Sequence, residues 1–175
     1  FLFLFALFQA KLSVRQVEFL LYLIVVATLL HSLVGVAQLL NWTALQKWLP
    51  MSSNKLPVGV FQQVNVQASY LVTGLVIILF LISRPSFISA RFLTKGLFII
   101  TFGLALYVTV STGSRVGISA LIISIPVMVI SCKRQFLRHK KVLVWIAITS
   151  IFSIIAGQSG FLRALDKTEK MTEGE

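Results

Sequence analysis

The segment S-T-G-S-R-V-G, residues 111–117, places one arginine among small and hydroxylated residues, with long apolar stretches on both sides. Ser111, Thr112 and Ser114 are residue types that cap the start of a helix. A helix N-terminus presents N–H groups without intrahelical acceptors and the positive end of the helix dipole. Arg115 adds a planar set of donors that stays charged and can bind two phosphate oxygens at once. The pattern therefore predicts a site for a phosphate-like anion.

A second polar stretch has the same physical character. Gln62, Gln63, Asn65 and Gln67 cluster within residues 55–71, directly before another apolar run. Both stretches also have simpler explanations. Amides at a membrane interface cap helices and bond across bundles, and an arginine at a helix end is often a solvated or snorkelling charge.

The composition is that of an integral membrane protein. Of the 175 residues, 57% are hydrophobic and only 12% are charged, so a soluble fold would lack polar surface. The single cysteine, Cys132, excludes an intramolecular disulfide and a cysteine metal cluster. No His-Glu-x-x-His motif, phosphate-binding glycine loop or intramembrane acid pair occurs in the sequence. We therefore predict no metal and no cofactor.

The predicted fold is all-α, a polytopic transmembrane helix bundle with about five full spans and a partial N-terminal one. The predicted full spans are residues 18–40, 66–83, 93–111, 115–132 and 142–158, and the partial span is residues 1–9. We expect residues 1–159 to be an incomplete bundle and residues 160–175 to start a periplasmic loop. The chain, which begins at an apolar Phe1, is expected to be a fragment of a longer protein.

The basic residues divide unequally between the two sides of this bundle. Ten of the 16 Lys and Arg residues lie in segments 11–15, 84–95 and 133–141, and the other six lie in the alternate loops and the C-terminal tail. By the positive-inside rule the ten-charge side is cytoplasmic. The net charge of +11 is thereby explained without nucleic acid, and the two polar stretches fall together on the outer side.

Two polar residues inside the first full span have local explanations. Glu18, near the cytoplasmic end, is expected to pair with Arg15 or Lys11. His31 is a functional candidate because ionisable groups in a membrane are costly, and it can equally be a neutral imidazole bonded to a neighbouring carbonyl.

Together the two stretches resemble known motifs. G-V-F-Q-Q-V-N-V-Q-A-S-Y-L, Gly59 to Leu71, is similar to the Gly-x-apolar-x-Gln-x-Asn-x-x-Ala-x-Tyr-Leu pattern of bacterial protein O-oligosaccharyltransferases of the pilin-glycosylating kind. S-T-G-S-R-V-G resembles the Ser-Arg motif of the wider O-antigen ligase and polymerase superfamily. The resemblance implies a membrane glycosyltransferase that moves a glycan from an undecaprenyl-diphosphate carrier to a hydroxyl acceptor, a Ser or Thr of a protein or a sugar of lipid A core.

The resemblance also implies roles for particular residues. Arg115, Ser114 and Arg163 are expected to bind the carrier diphosphate, and Gln63, Asn65 and Tyr70 to position the substrate. Family members carry a histidine in a large later outer loop, and nothing here matches it. The catalytic residues are therefore expected beyond residue 175, and the fragment should bind its substrate without turning it over.

Three alternatives stay open at this point. The first is an O-antigen ligase acting on lipid A core, or a polysaccharide polymerase, which shares the chemistry with another acceptor. The second is a transporter of a lipid-linked anion, which predicts further charges within the spans. The third is a structural membrane subunit. The expected location is the bacterial inner membrane, with the active face in the periplasm and the bilayer as a partner.

Overall fold

The computed structural model describes residues 12–42, 56–136 and 140–172. For Phe136 and residues 159–172 it describes the backbone alone. Most of the described residues are helical, and they contain no strand. Five helices of more than one turn lie in this part of the chain: α1 Val14–Leu39, α2 Val64–Ser83, α3 Phe92–Ser111, α4 Arg115–Ser131 and α5 Lys140–Thr172. A 3₁₀ turn, Pro85–Phe87, follows α2, and a single helical turn, Lys133–Phe136, follows α4.

The long helices are those of a membrane bundle, as predicted. Within the described residues, α1, α2, α3 and the first part of α5, Lys140–Gln158, are long and apolar enough to span a membrane. An α-helix rises about 1.5 Å per residue, so 20 apolar residues cross roughly 30 Å of hydrocarbon. The helix α4 is also apolar, but with 17 residues it is shorter than the other four.

The observed helix limits agree closely with the sequence-based spans, except at the start of α1, which begins at Val14 rather than near residue 18, and at the end of α5. The starts and ends of α2, α3 and α4 differ from prediction by at most two residues. In contrast, α5 does not end near residue 158 but continues to Thr172. That residues 160–175 begin a periplasmic segment stays a prediction, as does the span at residues 1–9, which lies outside the described residues.

The helices α2 and α3 are the centre of the bundle. Helix α3 packs against α5, α1 and α2, and α4 packs mainly against α2. Small residues allow the close approach: a Cβ atom on Gly35 of α1 would lie 2.5 Å from a methyl group of Val108 of α3. Buried hydroxyls such as those of Thr28 and Thr109 donate to carbonyls one turn earlier, so they are satisfied inside the apolar core.

The helix order gives the bundle two distinct ends. The start of α2, the start of α4 and the end of α1 meet at one end, which we call the pocket end. The opposite end, which we call the basic end, contains Glu18 and Arg84. There Glu18 pairs at 3.0 Å with Arg84, the residue that follows α2, so the predicted pairing with Arg15 is wrong. Lys11, the other predicted partner, lies outside the described residues. Packing of α1 on α2 brings Glu18 into hydrogen-bond contact with a partner 66 residues away.

Candidate anion-binding site

The turn between α3 and α4 is tight and internally bonded. Gly113 adopts a positive φ of 61°, which ends α3 in the left-handed conformation that glycine favours. The Thr112 hydroxyl donates to the carbonyl of Thr109 at 2.6 Å and accepts the N–H of Ser114 at 3.1 Å. Thr112 and Ser114 are almost fully buried. The S-T-G-S sequence therefore holds the first residue of α4, Arg115, in a defined place.

Ser114 caps α4 and also connects it to α2. Its Oγ accepts the N–H of Gly117 at 3.1 Å, so Ser114 is the one of the three predicted capping residues that caps this helix. The same hydroxyl donates to Oδ1 of Asn65 in the first turn of α2, at 2.8 Å. The two polar stretches of the sequence thus meet through one hydrogen bond. Oδ1 of Asn65 accepts this bond, and the group with which Asn65 would contact an anion is its donor, the amide N–H₂.

A small cavity lies where these two helices begin. Its volume is about 200 Å³, and its lining residues are Leu56, Val64, Asn65, Thr112, Gly113, Ser114, Arg115 and Val116. A water molecule occupies roughly 30 Å³ of the liquid, so a space of this size suits a phosphate-sized group better than an oligosaccharide. Arg115 is exposed at the cavity, whereas Ser114 is buried behind it.

The electrostatics of the cavity favour an anion. Helices α2 and α4 both start at its wall, so the positive ends of two helix dipoles point to the same space. The Arg115 side chain adds a full positive charge. None of the lining residues that the structure describes is acidic. N–H donors and positive charge without a carboxylate are what recognition of phosphate requires.

The remaining predicted site residues lie elsewhere. Gln63 is the exposed N-cap residue of α2, next to the lining residue Val64, and its side chain makes no capping bond. Tyr70 lies deeper in α2, where its ring contacts His31 and Phe61 rather than the cavity. The side chain of Arg163 is outside the described residues. Three of the six predicted residues, Arg115, Ser114 and Asn65, line one cavity. The roles of all six stay predictions.

His31 lies in a polar and aromatic cluster behind residues 56–63, the segment that precedes α2. The His31 ring stacks on Phe61, and Gln67 donates to the His31 carbonyl oxygen at 3.3 Å. The buried Nδ1 of His31 has no hydrogen-bond partner among the described residues, so this nitrogen does not make the predicted bond to a neighbouring carbonyl. A bond from the other ring nitrogen stays a prediction. Gln38, which the sequence analysis did not single out, also contacts this segment. Its only sequence signal is a lone amide in the last turn of an apolar helix.

The fold and the cavity define a class: a multi-span helical membrane protein with a basic, donor-rich pocket at one end of the bundle. The sequence model of a family described as protein glycosylation ligase matches residues 57–81. The match covers the segment before α2 and most of that helix, including Asn65. No curated protein and no solved structure matches the chain.

Proposed function

We propose that this chain forms the carrier-binding part of a membrane glycosyltransferase that moves a glycan from an undecaprenyl-diphosphate carrier to a hydroxyl group, a Ser or Thr of a protein. The observation that carries the proposal is the shared cavity of Arg115, Ser114 and Asn65 at the start of two helices. The match of residues 57–81 to the protein glycosylation ligase family supports a glycosylation-ligase-like role and favours protein over lipid A core as the acceptor.

The chemistry of such a transfer explains what the cavity would contribute. The acceptor hydroxyl attacks the anomeric carbon, the bond from that carbon to the diphosphate oxygen breaks, and the hydroxyl proton passes to a base. The electron pair of the broken bond leaves with the diphosphate, so negative charge builds up on its oxygens. The Arg115 guanidinium, the Asn65 amide and the N-terminus of α4 would stabilise that charge. They would also hold the carrier in a fixed position relative to the membrane.

The distribution of charge argues against the transporter alternative. Apart from Glu18, which pairs with Arg84 near the basic end, the membrane-spanning parts of the described helices contain no Asp, Glu, Lys or Arg between their terminal turns. An anion crossing the bundle would need compensating groups along its path, because a charge in hydrocarbon is costly. A pocket at one end of the bundle fits binding at a membrane surface.

The proposal is tested by carrier binding. The 175-residue chain, in lipid nanodiscs, is titrated with undecaprenyl diphosphate, with undecaprenol as the uncharged control. Loss of a charged hydrogen-bonding group costs about 1.5–3 kcal/mol, so Arg115→Ala should weaken binding by about 10- to 100-fold. Arg115→Lys keeps the charge without the planar fork and should recover only part of that loss.

Arg91→Ala is the matched control, since Arg91 is an exposed arginine at the start of α3, near the basic end. It should bind undecaprenyl diphosphate as the unaltered chain does. Equal affinity of Arg115→Ala and the unaltered chain would contradict the proposal and leave Arg115 as a solvated helix-end charge.

A further inference from the structure

A side chain of α1 holds the segment that forms one wall of the cavity. Gln38 lies in the last turn of α1 and is 3% exposed. Its Nε2 donates to the carbonyl oxygen of Gly59 at 3.0 Å, and its Oε1 accepts the N–H of Gly59 at 2.8 Å. One side-chain amide thus occupies both backbone polar groups of a residue 21 positions away, in the way that facing residues of two strands exchange bonds.

Gly59 is enclosed from the opposite side as well. Its φ is +61°, a conformation that L side chains rarely adopt, and a Cβ atom there would collide with the side-chain amide of Gln67. Gln67 is itself fully buried at the end of the first turn of α2. Gly59 therefore lies between an amide of α1 and an amide of α2, and only glycine fits this position.

Two residues further on, an aromatic contact holds the same segment. The Phe61 ring stacks on His31 of α1, with centroids 5.0 Å apart and planes at 10°. It also contacts Tyr70 of α2 at a centroid distance of 5.4 Å. The segment is thus anchored to both helices at two points. Its first described residue, Leu56, and the residue that starts α2, Val64, both line the cavity.

We propose that Gln38 is a positioning residue for this pocket, an inference that rests on the proposed function. By holding Gly59 it sets the positions of the Leu56 wall and of Asn65 before the anion arrives. A pocket that is already ordered does not spend binding free energy on ordering its walls. The two bonds join α1 to the segment rather than to the membrane-spanning part of another helix, so their loss should loosen the segment more than the bundle.

The test uses Gln38→Met, a side chain of similar length without the two hydrogen bonds, in the 175-residue chain in nanodiscs. Undecaprenyl diphosphate is the probe, and hydrogen exchange of peptides covering residues 56–63 reports on the segment. We expect the affinity to fall by about fivefold or more and the Gly59 amide to exchange faster. Should this variant fail to fold, Gln38→Asn keeps the amide but is one methylene too short to make both bonds.

Ser153→Ala is the matched control. Ser153 is buried, and its hydroxyl donates to the Gly103 carbonyl oxygen of α3 at 2.9 Å. The Ser153→Ala substitution should lower the unfolding temperature without changing the affinity for undecaprenyl diphosphate or the hydrogen exchange of residues 56–63. An equal loss of affinity in Ser153→Ala would reduce Gln38 to a stability effect and overturn the inference.

Other outcomes separate the inference from the proposed function. If Arg115→Ala abolishes binding while Gln38→Met binds normally, the positioning role is wrong and the carrier site stands. If the unaltered chain does not bind undecaprenyl diphosphate at all, the proposed function falls, and the positioning role falls with it.

Discussion

Asn65 and Ser114 are 49 residues apart in the chain, and their side chains meet at 2.8 Å. The hydrogen bond has a direction, since the serine hydroxyl donates and the asparagine oxygen accepts. The bond therefore orients the asparagine amide, with the N–H₂ group as the one that can donate to a ligand. At the scale of single residues, this orientation makes Asn65 a donor in the pocket, beside the positively charged Arg115.

Substitution of Asn65 separates this donor role from a purely structural one. Asn65→Asp keeps an oxygen that accepts from Ser114 but replaces the N–H₂ group by a negative charge. Asn65→Ala removes both groups and adds no charge. If an anion binds beside Asn65, Asn65→Asp should lower the affinity for undecaprenyl diphosphate more than Asn65→Ala, by about tenfold or more relative to the unaltered chain. Titration in nanodiscs measures both.

The dependence of affinity on salt concentration gives an independent check on the Asn65→Asp and Asn65→Ala variants. Repulsion between a new carboxylate and a diphosphate is screened by salt, so the gap between the two variants should narrow at high ionic strength. If Asn65→Asp binds as well as Asn65→Ala or better, the side chain at position 65 does not face the anion.

At the scale of helices, the pocket depends on how closely α4 approaches α2. Gly117 is buried in the first turn of α4, and a Cβ atom there would lie 2.5 Å from the Cβ of Ala68 in α2. That distance is far inside van der Waals contact. A methyl group at this position must push the two helices apart at the level of the Asn65–Ser114 bond.

Gly117→Ala should therefore be destabilising, although alanine is the better helix former. Overpacking of this kind costs about 1–3 kcal/mol, against a gain of roughly 1 kcal/mol from helix propensity. Denaturant unfolding in detergent measures the net change, and the affinity for undecaprenyl diphosphate should fall as well. Gly96→Ala is the control, because nothing lies within 4 Å of a Cβ atom at Gly96 in the first turns of α3.

The two glycine-to-alanine substitutions should change the free energy of unfolding in opposite directions. Gly96→Ala gains helix propensity without a clash and should raise stability by about 0.5–1 kcal/mol. Equal stabilisation by both substitutions would mean that α2 and α4 are not in contact at Gly117.

At the scale of the whole molecule, the two ends of the bundle differ in charge. The basic end contains Arg84, Arg91 and Lys95 around the connection from α2 to α3, and the Lys95 ammonium donates to the Ile88 carbonyl oxygen at 2.9 Å. Positive residues favour the cytoplasmic side. A periplasmic pocket is therefore the orientation that we propose.

Labelling of introduced cysteines tests that orientation. In a Cys132→Ser background, Gln62→Cys places a thiol at the pocket end and Lys133→Cys places one at the basic end, both at exposed positions. A membrane-impermeant maleimide applied to intact spheroplasts should label only Gln62→Cys, and both variants should be labelled after lysis. Labelling of Lys133→Cys alone would place the pocket in the cytoplasm.

Local sequence determined the elements because each apolar run must satisfy its own backbone hydrogen bonds in lipid, and a helix does so without a partner. The spans that became α2, α3 and α4 were therefore predicted to within two residues, and Ser114, one of three predicted capping residues, caps α4. The pairing of both polar stretches at one end followed from alternation of the helices across the membrane.

Only the tertiary structure decided which residues touch. Glu18 pairs with Arg84, Asn65 with Ser114 and Gln38 with Gly59, and each partner lies on another element. Helices that are apolar on all sides carry little periodic signal to say which face is buried. In a bilayer their packing is set by small residues and by a few interhelical hydrogen bonds. Such contacts depend on the shapes of two helices together, and neither sequence segment contains that information alone.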